Sequence, residues 1–237
     1  MYTFDSKIRY SEIDTSGKLS LPSLINYFQD CSNFQSCELG LGYEVLKERG
    51  RGWVLLAWHI EIHKIPILCQ AVTIGTFATD FKGFYGHRNF LMCDEKGEYL
   101  AIADSLWVMI DTETGRPTKP ALEDYAPYDL GKPLDIKFEG RKIKLAEGSV
   151  SFPSFVIQRH HLDTNRHVNN GWYVQMALDV LPEELEIKTL RVEYKKAAVL
   201  GDEIFPKLAK EGNRMVVELC DKEGRAYAVV EVKGKKE

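Results

Sequence analysis

The chain has 237 residues, of which 44% are hydrophobic and 28% charged, and its formal net charge is −4. Such a composition is typical of a globular protein that is large enough to bury a substantial core. The weakly acidic charge gives no general attraction to nucleic acid or to an anionic membrane, so we predict neither as a partner. No stretch approaches the ~20 apolar residues that cross a bilayer, and the N-terminus lacks a basic segment followed by an apolar run. We therefore expect a soluble, unprocessed protein.

The first half of the chain predicts one main helix followed by extended strands. A short strand is predicted at 7–13, followed by a polar turn and a helix that begins at Leu21. A second, shorter helix at 42–50 is ended by Gly50. On one face the main helix carries Leu24, Ile25, Phe28 and Cys31. The β-branched and aromatic runs predict strands within 52–65, 71–81, 83–93 and 98–111.

The second half predicts the same order of elements. A strand at 155–161 and a polar turn precede a helix within 169–181. This helix carries on one face Trp172, Tyr173, Met176 and Val180. Extended runs follow within 185–197, 202–211, 213–221 and 225–233. Between the halves, residues 114–148 contain four prolines and are interpreted as a linker strapped across the surface.

Two sequence blocks indicate that the halves are repeats. IDTSGKL at 13–19 aligns with LDTNRHV at 162–168, at an offset of 149 residues. IEIHKIPIL at 60–68 aligns with VEYKKAAVL at 192–200, at an offset of 132. The first repeat therefore holds 17 more residues between the blocks, which include the short helix at 42–50. We interpret the chain as two copies of one ancestral α+β fold, each with one helix against a largely antiparallel sheet.

The repeat separates structural from chemical residues in the polar turn. Asp163 and Thr164 match Asp14 and Thr15, which favours a turn-forming or capping role for that pair. In contrast, Asn165 and His167 stand opposite Ser16 and Lys18. An Asp can orient an imidazole or a water, an Asn amide can polarise a carbonyl, and a His titrates near neutral pH. The alternative is a surface or capping role, because Asn169 and Asn170 are good N-caps for the following helix.

Metal and covalent chemistry find little support in the sequence. The five cysteines are odd in number and lack CxxC spacing, which argues against a disulfide framework and a structural zinc site and favours the cytoplasm. A metal site at His160, His161, Asp163 and His167 is disfavoured because adjacent residues of a strand point to opposite faces. No GxSxG motif marks a nucleophile. We predict neither a metal nor a cofactor.

The sequence DTNRHVNN at 163–170 resembles the D-x-N-x-H-V-N-N signature of the bacterial-type acyl-acyl carrier protein (acyl-ACP) thioesterases. Further similarities are RYSEID at 9–14, the run from 87 to 111, GRPTKP just after it, and VEYKKAAVLGD at 192–202. The resemblance implies an α+β tandem (double) hot-dog fold, in which each repeat is a long helix wrapped by a curved antiparallel sheet. It implies an acyl-binding first repeat at 1–130, a linker at 131–150 and a catalytic second repeat at 151–237.

The resemblance also implies a function, the hydrolysis of acyl-ACP to free fatty acid. Carried onto this sequence, the catalytic residues are Asp163, Asn165 and His167. The partner is then an acyl carrier protein with a phosphopantetheine-linked acyl chain, and a homodimer is left open. Three basic clusters are candidates for contact with an acidic carrier: Lys195–Lys196, Arg159 with Arg166, and Arg141–Lys142–Lys144.

One position departs from the family pattern. The glutamate that usually follows four residues after the Glu of the E-Y-[RK]-[RK] strand is Ala197 here. Glu193 lies ~13 Å away along an extended strand, too far to replace it simply. Three readings stay open: His167 is itself the base, Asp202 or Glu203 turns inward, or the protein is a weak enzyme or an acyl-binding relative. Hydratase or dehydratase chemistry on an acyl thioester is a further alternative by analogy of fold.

Overall fold

The computed structural model describes residues 1–145, 147–183 and 185–234. The chain divides into two compact units, Met1–Glu139 and Gly140–Glu237. This division falls inside the linker predicted at 131–150. The exact boundaries of the two repeats and the linker remain a prediction. Among the helices of the described residues, none is long and apolar enough to cross a membrane.

The first unit is an antiparallel sheet of five strands in the order β1-β3-β4-β5-β2. Its elements are β1 (Tyr2–Lys7), α1 (Leu21–Glu38), α2 (Tyr43–Glu48), β2 (Arg51–Ile62), β3 (Ala71–Lys82), β4 (Tyr85–Cys93) and β5 (Tyr99–Asp111). The predicted apolar face of the main helix is confirmed, because Leu24, Ile25, Phe28 and Cys31 are buried. These side chains form part of the core with Trp58 and Phe90, whose rings pack on Phe28.

The second unit repeats this topology with the order β8-β11-β10-β9, and β6 and β7 both pair with β9. Its elements are β6 (Val150–Ser151), β7 (Phe155–Val156), α3 (Asn170–Leu178), β8 (Ile187–Tyr194), β9 (Glu203–Glu211), β10 (Arg214–Cys220) and β11 (Ala226–Gly234). Tyr173 and Met176 are buried as predicted, while Trp172 is half-buried and Val180 lies beyond the helix end. The matching strand orders confirm that the two halves share one fold.

The strands predicted at 7–13 and 155–161 are wrong. β1 ends at Lys7 and a short 3₁₀ turn covers Tyr10–Glu12, while β7 ends at Val156 and a similar turn covers Arg159–His161. In each turn a side chain at the third position accepts a backbone N–H three residues earlier. This local bond competes with strand pairing and ends the strand.

The two main helices differ in length, although both are capped as their sequences suggest. The Ser20 hydroxyl accepts the N–H of Ser23, and the Asn169 side chain accepts the N–H of Gly171. α1 has 18 residues and α3 has nine. The extra residues of the first repeat therefore form the second half of α1 as well as α2. The long helix expected in each repeat is present in the first repeat, whereas the helix of the second repeat is shorter than expected.

The proline-rich segment after β5 lies against the sheet of each unit. In the first unit, the N–H of Leu134 donates to the Asn89 side chain at 2.8 Å, and Leu134 and Ile136 pack on the sheet. In the second unit, Ile143 is 2% exposed and its N–H donates to the carboxylate of Glu193. Leu134, Ile136 and Ile143 of the predicted surface linker therefore pack on the sheet of their own unit.

Candidate active site

The turn that carries Asp163, Asn165 and His167 is built around the carboxylate of Asp163. One oxygen, Oδ1, accepts the N–H of Asn165 at 2.8 Å and the N–H of His167 at 3.1 Å. The N–H of Asp163 donates in turn to the carbonyl of His167 at 2.8 Å. Asp163 thus holds the loop closed on itself, which is the structural role that the repeat predicted for it.

The first repeat forms the same turn with other exposed side chains. Asp14 Oδ1 accepts the N–H groups of Ser16 and Lys18 at 2.8 and 3.3 Å, and the N–H of Asp14 donates to the carbonyl of Lys18 at 2.8 Å. The hydroxyl of Ser16 also donates to Asp14 Oδ1 at 2.7 Å. Because the backbone pattern is common to both turns, Asn165 and His167 are choices that the fold does not dictate.

The turns differ at the residue that adopts a left-handed backbone. Gly17 has a φ of 74°, whereas Arg166, its counterpart, has a φ of 60°. A residue with a Cβ atom is strained in this region by roughly 1–2 kcal/mol relative to its ordinary conformations. The second repeat therefore keeps a basic side chain at this point against a local backbone preference.

The catalytic candidates of the turn are open to solvent and tied to a neighbouring loop. Thr164, Asn165, Arg166 and His167 are all exposed. His167 forms an isolated β-bridge with Val199, and the N–H of Val168 donates to the carbonyl of Ala198 at 2.9 Å. The turn and the loop after β8 therefore form one unit of structure, in which a substrate carbonyl can approach from solvent.

Ala197, where the family's glutamate usually stands, lies in this neighbouring loop. It is exposed and follows the end of β8 by three residues. Tyr173, from α3, fixes the adjacent residue because its hydroxyl accepts the N–H of Ala198 at 2.8 Å. Burial raises the pKa of Tyr173 to about 12, so the hydroxyl stays protonated at neutral pH. This hydrogen bond fixes the backbone beside Ala197, although the carboxylate that the family usually has there is missing.

The other acids considered for this role are engaged elsewhere. Glu193 is 6% exposed and its carboxylate accepts the N–H of Ile143 at 3.1 Å. Asp202 closes the turn after the loop by accepting the N–H of Val199 at 3.0 Å. Glu203 accepts the hydroxyl of Ser154 at 2.6 Å. These contacts give each of the three acids a structural partner.

His160 and His161 lie in a 3₁₀ turn, so the argument that a strand sends them to opposite faces is wrong. Their ring centroids are 4.1 Å apart, and both rings contact the edge of Trp172 at 5.4 and 5.0 Å. The His161 Nδ1 atom accepts the N–H of Gln158 at 3.0 Å. Burial first, and the neighbouring His160 second, lower the pKa of His161. The described residues contain no group of three or more potential metal ligands.

Sequence reasoning missed a second polar constellation, on the sheet of the first unit. His87 Nδ1 lies 2.9 Å from Asp104 Oδ1, and Asp104 Oδ2 accepts the Asn89 amide at 2.7 Å. The hydrogen bond to Asp104 raises the pKa of His87 against the effect of burial. Because these three residues lie on two paired strands, their proximity could have been predicted only from the register of the strands. His87 also lines a cavity of about 450 Å³ with Lys82, Phe84 and Tyr85.

Comparison with known proteins places the chain in a family. The chain matches the sequence models of the acyl-ACP thioesterase N-terminal domain over residues 1–128 and of the acyl-ACP thioesterase C-terminal domain over 146–234. The chloroplastic acyl-[acyl-carrier-protein] hydrolase FATB3 of Cuphea viscosissima is 26% identical over 227 residues, which cover 87% of this chain and 55% of that protein. This chain spans about half the length of the curated relatives that it matches.

Solved structures agree on the fold. A crystal structure of an acyl-ACP thioesterase from Bacteroides thetaiotaomicron aligns with a TM-score of 0.90 at 23% identity, over 98% of this chain and 97% of that one. The 12:0-ACP thioesterase from Umbellularia californica aligns with a TM-score of 0.86 at 20% identity, over 100% and 97%. The predicted tandem hot-dog fold is confirmed, and the chain belongs to the acyl-ACP thioesterase family.

Proposed function

We propose that this protein hydrolyses the thioester of an acyl-ACP and releases a free fatty acid. The observation that carries the proposal is the one-sided turn: both repeats build the same backbone, and Asn165 and His167 occur in one of them. The family match over both halves of the chain supports the same substrate class.

In the proposed reaction, His167 takes a proton from a water molecule as that water attacks the thioester carbonyl carbon. The Asn165 amide donates a hydrogen bond to the carbonyl oxygen, where negative charge develops. The carbon–sulfur bond then breaks, and the imidazolium of His167 gives its proton to the departing thiolate. Asp163 acts through the backbone by keeping Asn165 and His167 at fixed positions in the turn. Proton transfer of this kind typically contributes ~10²–10⁴ in rate.

The proposed partner is an acyl carrier protein, whose acidic surface would meet basic side chains beside the turn. Of the candidate clusters, Lys195 and Lys196 already pair with Glu193 and Asp221, at 3.8 and 3.5 Å. Arg159 and Arg166 are both exposed; Arg159 precedes the catalytic candidates in sequence, and Arg166 lies between Asn165 and His167. We therefore assign the first contact with the carrier to Arg159 and Arg166. We also propose a cytoplasmic location and a homodimer, which cell fractionation and sedimentation would test.

The test is fatty acid release from a ladder of acyl chain lengths, each loaded on acyl carrier protein. We expect turnover by the unaltered chain, a loss of ~10²–10⁴ in kcat/KM for His167→Ala, and a loss of ~10²–10³ for Asn165→Ala. The matched controls are Lys18→Ala and Ser16→Ala, which alter the same positions of the first repeat and should keep activity. Equal activity of His167→Ala and the unaltered chain would refute the assignment.

A second candidate function is acyl-thioester binding without efficient turnover, and it is favoured by Ala197. The loop holds this residue in place, yet no carboxylate stands there to assist the water. This candidate predicts saturable binding of acyl-ACP by the unaltered chain and a gain of hydrolysis in Ala197→Glu. Many turnovers per molecule of the unaltered chain would eliminate it. Retention of an enoyl double bond during release would separate hydrolysis from hydratase chemistry.

A further inference from the structure

The 3₁₀ turn that leads into the catalytic candidates is capped by a different chemical group in each repeat. In the first repeat, the carboxylate of Glu12 accepts the N–H of Arg9 at 2.8 Å. In the second, the imidazole of His161 accepts the N–H of Gln158 at 3.0 Å. The two positions are equivalent in the repeat, so the backbone needs an acceptor there and the second repeat supplies it with a titratable ring.

The supports around this acceptor differ as well. Glu12 also accepts the hydroxyl of Tyr27 from α1 at 2.8 Å. The position equivalent to Tyr27 is Met176, which has no hydroxyl to offer. His161 packs instead on His160 and Trp172, at 4.1 and 5.0 Å between ring centroids. The turn of the second repeat therefore depends more heavily on one hydrogen bond to one imidazole.

His161 is joined directly to the catalytic turn. Its carbonyl accepts the N–H of Asn169, the residue that caps α3, at 2.9 Å. The next residue, Leu162, forms a bridge with Val168, and these two enclose the loop of Asp163 to His167. A change in the turn at His161 is thereby transmitted to both ends of that loop.

We propose that His161 is a positioning residue whose neutral imidazole holds the catalytic turn in its active conformation and whose protonation releases it. In the neutral form Nδ1 carries a lone pair that accepts the Gln158 N–H, so the ring proton is on Nε2. Protonation puts a hydrogen on Nδ1, which removes the acceptor and opposes two donors to each other. The Glu12 side chain, in contrast, keeps an acceptor oxygen whether or not its carboxyl group is protonated. The inference rests on the proposed function only for its activity readout.

The neighbours of His161 act in the same direction. Within the described residues, its own turn contributes Arg159 and His160, and α3 contributes the uncharged ring of Trp172. Burial, and then His160, lower the pKa of His161, so the neutral form prevails at neutral pH. A second positive charge arriving on either imidazole would repel the first across 4.1 Å. Release of the turn therefore belongs to the acid side of neutrality.

The activity test compares the acid limb of kcat/KM in the unaltered chain, His161→Gln and His161→Glu. Protonation of His161 should add one inactivating proton, so the limiting slope of log kcat/KM against pH should be steeper by about 1 in the unaltered chain than in either variant. Both replacements offer an acceptor oxygen, and His161→Glu copies the first repeat. His160→Gln is the matched control. It keeps the hydrogen bond between His161 and Gln158 and should move the ionisation of His161 to higher pH, because His160 lowers the pKa of His161. Identical slopes in all forms would overturn the proposal.

A spectroscopic test is independent of turnover. In the ¹⁵N-labelled protein, the Gln158 amide should shift as His161 titrates, and the shift should disappear in both variants. The ring nitrogens should report a proton on Nε2 at pH 7.5. A proton on Nδ1 at that pH, or an unmoved Gln158 amide, would refute the cap. If the unaltered chain shows no hydrolysis, the proposed function fails while this measurement still decides the role of His161.

Discussion

The turns at 13–19 and 162–168 have nearly the same hydrogen bonds and different exposed side chains. In each, an aspartate oxygen accepts the N–H groups two and four residues later. In each, the flanking residues pair with each other, and Lys18 or His167 forms a bridge to the loop that follows β2 or β8. What differs is the chemistry presented to solvent: serine and lysine in the first repeat, and asparagine and histidine in the second. Shared residues are therefore explained by folding, and the unshared ones are where function is to be sought.

The largest effect is expected from replacing Asp163, although Asp14 makes the same hydrogen bonds in the first repeat. Asp163→Ala should lower kcat/KM by ~10²-fold or more, because the loop no longer fixes Asn165 and His167. Asp14→Ala removes the same hydrogen bonds from the first repeat and should leave kcat almost unchanged. Asp163→Asn keeps an acceptor oxygen and should recover most of the activity. Steady-state hydrolysis and circular dichroism on all three variants check this, and equal losses from both alanine variants would contradict it.

A second effect concerns a buried carboxylate after β5 that pairs with an arginine beside α2, an element that the second repeat lacks. Asp124 is fully buried, lies 3.2 Å from Arg49 beside α2, and also pairs with Arg51 at the start of β2. Asp124→Asn should lower the free energy of unfolding by about 3 kcal/mol, at the low end for a broken buried pair because both guanidinium groups are partly exposed. Urea titration measures the loss, and exposed Glu123→Gln is the control. A loss no larger than that of the control would show that the pair adds nothing.

The left-handed positions provide a smaller, reciprocal test. Arg166→Gly should raise the free energy of unfolding by up to about 1 kcal/mol, because glycine adopts a positive φ without strain. Gly17→Ala should lower it by about 1 kcal/mol; a Cβ atom there would meet no neighbour within 4 Å, so backbone conformation alone sets the cost. Thermal and urea unfolding check both signs. We expect Arg166→Gly to weaken acyl-ACP binding as well, and unchanged KM would contradict the proposed carrier contact.

The smallest effect contrasts two histidines whose pKa values move in opposite directions. The hydrogen bond to Asp104 raises the pKa of His87, so its contribution to stability is complete below about pH 6.5 and is lost as pH rises through the folded-state value. The pKa of His161 is lowered, so its contribution is present above about pH 6.5 and is lost as pH falls. His87→Gln should flatten the alkaline side of the stability profile and His161→Gln the acid side. Urea titrations across this pH range measure both profiles. If His87→Gln flattened the acid side and His161→Gln the alkaline side, the two assigned contacts would be wrong.

Much of the fold follows from patterns within short stretches of the sequence. The apolar face of α1 and the β-branched and aromatic runs of β2 to β5 are local signals, and the structure confirms them. The strand predicted at 7–13 failed because Glu12 returns to cap the N–H of Arg9, and such a bond competes with strand pairing that hydropathy alone suggests. The short α3 reflects a helix that ends at Leu178, ahead of Pro182.

The candidate site was predictable to the extent that the repeat could be read. Alignment of the two turns singled out Asn165 and His167 and assigned Asp163 a shared structural role, which its hydrogen bonds support. The cap at His161 and the anchoring of Ala198 by Tyr173 depend on contacts that the alignment does not contain. The group at His87, Asn89 and Asp104 depends on the register of β4 against β5, which sequence alone leaves undetermined.

The segment at 140–144 has a consequence for how the protein survives in a cell. Its sequence suits trypsin-like proteases, which cut after basic residues such as Arg141, Lys142 and Lys144. The Arg141 side chain donates to the carbonyl of Tyr194, Arg191 holds the carbonyl of Gly140, and Arg214 holds that of Lys144. A protease needs several residues of extended, free backbone, and here the carbonyls of Gly140 and Lys144 and the N–H of Ile143 are already hydrogen-bonded. We therefore expect trypsin-like proteases to cut this junction between the two repeats more slowly than its composition suggests.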